Sequence, residues 1–221
     1  RNDPPVDSIM EKTGVHVFHH AEAEAGNVTV GIETVSIYTD EPDTAENRIK
    51  DLPRDLAFAM LNRRISEIAK SEGAPFIGGG ARAGSFYQVA ENVSIELRSS
   101  NDRWQEALTV AENELRRALE FGFQGPELRE VVAGMRNGLE QAVRRAPTRR
   151  SSSLAMGILS AVADETVFTT PETDYELFMP LLDEVSVEAC NQAFRDAWKA
   201  DHRFITVVGN TGNTVSSNPE S

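Results

Sequence analysis

Residues 15–37 read Val15-His-Val-Phe-His-His20, then Ala21-Glu-Ala-Glu-Ala-Gly-Asn27, then Val28-Thr-Val-Gly-Ile-Glu-Thr-Val-Ser-Ile37. The two outer runs alternate and are rich in β-branched residues, which suits a pleated, half-buried surface. The middle is turn material, ending in Gly26-Asn27. Two strands that could pair as a hairpin are expected. In the second run Val28, Val30 and Ile32 share one parity and Val35 and Ile37 the other, so a β-bulge is expected after Glu33.

Outward from this pair the pattern turns helical. Thr44 is a good N-cap, and Pro53 is expected to start a new helix or kink the old one. Phe58, Leu61, Ile65 and Ile68 follow at spacings of 3, 4 and 3, the stripe of an amphipathic helix, which Gly73 ends. Ala74–Gly84 is small and glycine-rich, and strand signals follow at Phe86–Val89 and Val93–Leu97. Trp104, Leu108, Ala111, Leu115 and Ala118 predict a helix capped by Asn101 or Asp102 and stopped at Gly122. Gly125-Pro126-Glu127 starts another, with Leu128, Val132, Met135 and Leu139 inward. Pro147 interrupts it, and Ser151–Ser153 can cap a helix carrying Leu154, Ile158 and Val162. Thr170-Pro171 and Ser186-Val187 are two further helix starts. Phe204, Ile205, Val207 and Val208 form a closing strand. Strands and helices come in blocks, so the fold class is α+β rather than a doubly wound sheet.

The chain has 221 residues, enough for one or two domains at roughly 150 residues each. It carries 22 basic and 35 acidic side chains, a net charge of −13. Such a molecule repels a phosphate backbone, so no nucleic-acid partner is expected. No apolar run approaches the ~20 residues of a membrane span, and no membrane partner is expected. Cys190 alone cannot form an internal disulfide. Residues 1–14, with Pro4 and Pro5, read as a linker from a preceding domain. Residues 15–210 read as a single α+β domain and 211–221 as a loose tail. Without an initial Met or a signal-like segment, the whole reads as a piece of something longer.

His16, His19, His20, Glu22 and Glu24 are the densest set of metal-ligand types. Zinc peptidases of one class set H-x-x-E-H on a helix, so that both His share a face with the Glu as base. Here a His stands at the Glu position and the segment is strand-like, which turns His19 away from His16 and His20. Polar faces of an exposed hairpin are favoured over a metal site. Gly78-Gly79-Gly80-Ala81-Arg82-Ala83-Gly84 has neither the spacing nor the strand-to-helix setting of a phosphate loop, and reads as close backbone packing or a bulged strand. Arg144, Arg145, Arg149 and Arg150 flank Pro147 as the densest basic cluster, either a solvated corner or a docking patch for an acidic neighbouring domain. Cys190 shares a helical face with Val187, Phe194 and Trp198 and belongs to the core. No nucleophile–base set can be assembled.

Several stretches together resemble the insulinase/pitrilysin family of zinc metallopeptidases. They are Ala23–Val30, Leu52–Ala69, Ala74–Gly79, Phe121–Leu128, Thr170–Leu177 and the helix start at Val185–Phe194, spread over Val15 to Gly209. Their order and spacing are similar to the non-catalytic domain that follows the zinc domain in these peptidases. The resemblance implies a mixed, mostly antiparallel sheet backed by helices, repeated along a chain whose halves close around a peptide. It puts zinc in the preceding domain and none in this fragment. It also implies an Arg and a Tyr that grip the substrate, but Lys70 and Phe76 stand at about those positions. No catalytic residue carries over. The expected function is a structural, substrate-chamber-forming domain of a zinc metallopeptidase, inactive alone. Its expected partners are the other domains of the same polypeptide and a peptide substrate. The alternative is a non-proteolytic protein–protein scaffold, since the same fold resembles core subunits of respiratory complexes.

Overall fold

The computed structural model describes residues 12–86 and 88–212. The linker expected over 1–14 and the tail expected over 211–221 fall mostly outside them; Gly14 opens a strand and Thr211 is buried. Five strands form one sheet: β1 Gly14–Ala21, β2 Val28–Ile37, β3 Gly78–Phe86, β4 Ala90–Ser99 and β5 His202–Gly209. The helices are α1 Ala45–Lys70, α2 Trp104–Phe121, α3 Gly125–Arg145, α4 Ser151–Ala163, α5 Pro171–Phe178 and α6 Val187–Ala197. The fold is α+β with a mixed, mostly antiparallel sheet, as expected. By packing, the chain divides into two compact units. One contains the segments up to Thr39, Phe58–Gly122 and from Phe194 onward; the other is Asp40–Ala57 with Phe123–Ala193.

The first unit holds the sheet, in the order β1-β5-β2-β4-β3. The expected hairpin of β1 with β2 does not form, because β5 lies between them, parallel to β1 and antiparallel to β2. The turn at Glu22–Asn27 therefore spans two strand spacings, about 10 Å, well within the reach of six residues. Nor is there a bulge in β2: its pairing with β4 runs unbroken from Val28↔Ser99 to Ile37↔Ala90. The parity slip is absorbed by chemistry instead. Thr34 follows Val28, Val30 and Ile32 on the helix side, buried, with its Oγ1 3.5 Å from His202 Nε2, and Val35 falls on the other face.

Val28, Val30, Ile32, Ile95, Leu97 and Val207 line the covered face, and α2 packs over β2 and β4. The stripe of α1 joins this core: Leu61 and Ile65 are buried, Phe58 stacks on Phe194 at 5.2 Å, and Ile68 is half-buried. The stripe of α2 centres on Ala107, Ala111, Leu115 and Ala118, with Trp104 and Leu108 half-buried at its margin. Its cap position is Arg103, not Asn101 or Asp102; the guanidinium instead donates to the Gly73 and Ala74 carbonyls, tying the helix start to the turn after α1. Gly122, at φ 70°, stops α2 as expected.

α1 begins in the second unit, with the Asn47 amide donating to Thr44 Oγ1 at 3.2 Å, and continues through Pro53 without a break. The proline removes only the donor to the Ile49 carbonyl. In this unit the half-buried Asp43 pairs with Arg48, whose hydrogen bond holds its carboxyl below the usual carboxylate range; it also accepts from the Val167 amide at 2.7 Å. α3 opens on a capping box between Gln124 and Glu127, and α5 on Thr170, which accepts from the Thr173 amide. Cys190 is fully buried, and burial pushes its thiol up to about 11.

Candidate functional site

The sheet's second face is polar at its centre and toward β3 and apolar at its margins. Thr29, Gly31, Glu33, Ser94, Glu96, Arg98, Gly80, Arg82, His16 and Thr206 fall on it by strand alternation, as do Phe204 and the exposed Phe18, Ile37, Phe86 and Val208. Gly31 leaves room there for Thr206, whose Oγ1 would lie 2.5 Å from a Cβ at that position. Toward the β3 edge this face opens into a cleft of about 650 Å³, lined by Thr29, Asn62, Ile77–Arg82, Ser94, Glu96, Leu97 and Arg98. Arg82 and Glu96 pair at 3.4 Å across its mouth, and Ser94 is buried at its floor with an Oγ that meets no partner among the described residues.

The glycine run is strand β3 itself, which extends to Phe86, and the later strand signal at Val93–Leu97 belongs to β4. As expected, it serves close backbone packing. Gly79, at φ +156°, brings its backbone onto Glu96 and Leu97, with Leu97 Cα only 2.8 Å from a would-be Cβ. β3 is an edge strand. Asn62 of α1 caps that edge at one residue: its Nδ2 donates to the Ala81 carbonyl at 2.9 Å and its Oδ1 accepts from the Ala81 amide at 2.6 Å. The antiparallel alternation then directs the backbone groups of Gly79, Ala83 and Ser85 outward too. An edge of this kind can take an extended polypeptide as an added strand, and a glycine-rich one admits close approach. Sequence reading missed Asn62 because nothing in a helical register marks a polar residue that reaches over a strand edge.

The histidines lie on a strand, as their alternation predicts. His19 Nε2 and Thr211 Oγ1 are 3.0 Å apart, His16 stacks on Phe204 at 5.5 Å, and His20 is exposed. Their divergence prevents the helical His pair of a zinc peptidase, and among the described residues no three His, Cys, Asp or Glu side chains gather where they could hold a metal. His202, missed in the sequence, is buried beside Phe204; its Nε2 accepts from the Val35 amide at 3.2 Å, and burial pulls its basicity down. Phe76 is core, whereas Lys70 is exposed.

Arg144 and Arg145 end α3 and Arg149 and Arg150 follow the 3-10 turn Ala146–Thr148; all four are exposed. Arg144 pairs with Glu140 at 2.8 Å and Arg145 donates to Gln141 at 3.1 Å. Arg150 stands at the N-cap of α4, so Ser151–Ser153 form its first turn rather than its cap.

No protein-family profile matches the chain. Over 146 residues it is 24% identical to a probable zinc protease, PqqL, of Escherichia coli, spanning 66% of this chain and 16% of that protein. The crystal structure of that periplasmic protease covers 93% of the chain at a TM-score of 0.79 and 17% identity, the chain spanning 23% of it. A predicted insulinase family protease from Yersinia pestis covers 91% at 0.78 and 14% identity, the chain spanning 43% of it. An inactive domain of an M16 peptidase from Pseudomonas fluorescens covers 95% at 0.61 and 15% identity, the chain spanning 45% of it. The chain thus resembles insulinase-family proteases in sequence and shares their fold, an inactive domain among them.

Proposed function

We propose that this chain is a non-catalytic structural domain of a zinc protease, which completes one half of a substrate chamber and lines part of its wall. The observation that carries this reading is the cleft on the open face of the sheet, with the outward-directed β3 edge beside it. A wall of this kind needs main-chain groups for an extended peptide and no nucleophile of its own. The divergent histidines of β1 agree with that, because general-base chemistry needs a positioned group beside an activated water. Zinc would then sit in a preceding domain, and the partners of this chain would be the other domains of its polypeptide and a peptide substrate. The acidic surface favours basic or unfolded peptides, weakly. The arginine corner would dock on a carboxylate-rich neighbouring domain through fork-shaped pairs.

The test is to incubate the chain with zinc and an unstructured basic peptide, following hydrolysis and amide shifts together. No hydrolysis is expected, with shifts concentrated at Gly79, Ala83 and Ser85. Metal-dependent cleavage lost in His16→Ala or His20→Ala would overturn the reading, and so would shifts that avoid β3.

A further inference from the structure

α4 has the composition of a core helix and the exposure of a surface one. Its 13 residues include no charge and none is buried. Met156, Leu159 and Val162 are 61%, 60% and 71% exposed. Gly157 turns inward, with a Phe168 ring carbon 3.2 Å from a would-be Cβ. On the outer side Ala155, Ile158, Leu159 and Val162 recur at i, i+3, i+4 and i+7, one continuous apolar stripe. With Met156 and the exposed part of Leu154, the patch reaches on the order of 500 Å², a size that soluble chains leave open mainly where something covers it.

The ends of this helix are charged against its own dipole. Arg149 and Arg150 precede its first turn, and Asp164 and Glu165 follow its last. Cations at an N-terminus and carboxylates at a C-terminus are each unfavourable in isolation. Glu165 moreover sits at φ 55°, where a side chain is strained and glycine is usual. It closes a Schellman turn there, with Thr166 N–H donating to the Ala161 carbonyl at 2.8 Å. A carboxylate is thus retained at this end against both the dipole and the backbone.

We propose that α4 is the pairing surface for a second copy of this chain, the two helices packed antiparallel across a twofold axis. That arrangement sets the Arg149–Arg150 end of each helix beside the Asp164–Glu165 end and the negative dipole end of the other. It buries the two apolar stripes face to face, with Ala155 permitting close approach. The surface is self-complementary, which is what an isologous contact requires. Two patches of this size give about 1,000 Å², the low end for a specific interface, so the dimer is weak, with a Kd in the micromolar range. This inference does not depend on the chamber reading, but it competes with docking of the arginine corner on a neighbouring domain, since both use Arg149 and Arg150.

Sedimentation equilibrium of the whole chain up to about 200 μM, spanning such a Kd, should show a species of twice 24.3 kDa. Leu159→Lys with Val162→Lys should leave the circular dichroism unchanged and weaken pairing at least 100-fold. Arg149→Glu with Arg150→Glu should weaken it about tenfold, and adding Asp164→Arg with Glu165→Arg should restore it. Glu165→Gly should raise the melting temperature of the dilute chain while weakening the dimer. A chain that stays monomeric throughout, a dimer indifferent to the lysine substitutions, or charge reversals without rescue would each overturn the proposal. Monomers that bind anionic vesicles through Leu159 and Val162 would overturn it in favour of a lipid surface.

Discussion

Asn62 offers a direct measurement of how firmly the β3 edge is held. Its amide makes two hydrogen bonds to Ala81, at 2.9 and 2.6 Å, and Ala81 is 6% exposed. Neutral hydrogen bonds contribute about 0.5–1.5 kcal/mol each, so the pair is worth roughly 1–3 kcal/mol. Asn62→Ala leaves both backbone groups of a buried residue without that partner, which moves the expected loss to about 2 kcal/mol. At this chain length each kcal/mol shifts melting by about 2–4 °C, so a fall of about 4–8 °C is expected. Both tryptophans, Trp104 and Trp198, belong to the unit that contains Asn62, so tryptophan fluorescence in urea reads the relevant transition. The same amide also limits Gly80, where a Cβ would lie 2.8 Å from Asn62 Oδ1. Gly80→Ala should therefore cost less in the Asn62→Ala background than in the natural chain, with a coupling of about 1 kcal/mol. Amide exchange at Ala81 should accelerate in Asn62→Ala. A loss below about 0.5 kcal/mol, with Ala81 exchange unchanged and no coupling to Gly80, would refute the reasoning.

Leu61→Ala and Ile65→Ala should each cost about 2–5 kcal/mol by emptying packed aliphatic sites, whereas Arg63→Ala and Glu67→Ala on the exposed side of α1 should stay within about 0.5 kcal/mol; urea midpoints of the two sets should separate. Gly79→Ala combines a φ that side chains avoid with a collision against the β4 backbone, and a loss above about 2 kcal/mol is expected, read from the same midpoints. Because burial depresses the His202 basicity, the unfolded chain takes up a proton near pH 6.5 that the folded chain resists. Stability should thus be full above about pH 6.5 and fall as pH drops toward the lower folded value, and His202→Gln should flatten that slope of the melting temperature against pH.

Much of this fold was legible because it is local. The stripe of α1 from Phe58 to Ile65, the stops at Gly73 and Gly122, and the caps at Thr44, Thr170 and Ser186 are all properties of a few neighbouring residues. What escaped the sequence is non-local. The insertion of β5 between β1 and β2 joins residues nearly two hundred positions apart, and a short turn beside two alternating runs gives no hint of it. The glycine run hid strand β3 because its fitness as a strand comes from backbone contact with β4 rather than from β-branched side chains. Thr34 looked like a break in pattern because a buried hydroxyl beside His202 is chemically satisfied yet reads as polar. Pro53 was overweighted: one lost donor in a 26-residue helix is tolerated when apolar residues on both sides of it are buried. The exposed position of the four arginines around Pro147 could be read directly, but the reach of Asn62 to the strand edge and the exposure of α4 could not.

The cleft of the sheet and the outer stripe of α4 obey opposite physical rules, which bears on the kind of partner each can take. Around its cleft the open sheet face carries Thr, Ser, Glu, Arg and Gly, with the main-chain groups of an edge strand beside it. It loses little by facing water, so it can release whatever it binds, as a chamber wall must. The outer stripe of α4 carries only aliphatic carbon between two charged ends. Each Å² left in water there forgoes about 25 cal/mol, so about 500 Å² left open represents more than 10 kcal/mol of unused burial before the entropy of association is counted. A partner that covers the stripe recovers part of that, even in a weak complex. Polarity by itself would not separate a binding face from an assembly face, but the cost of leaving each one bare does.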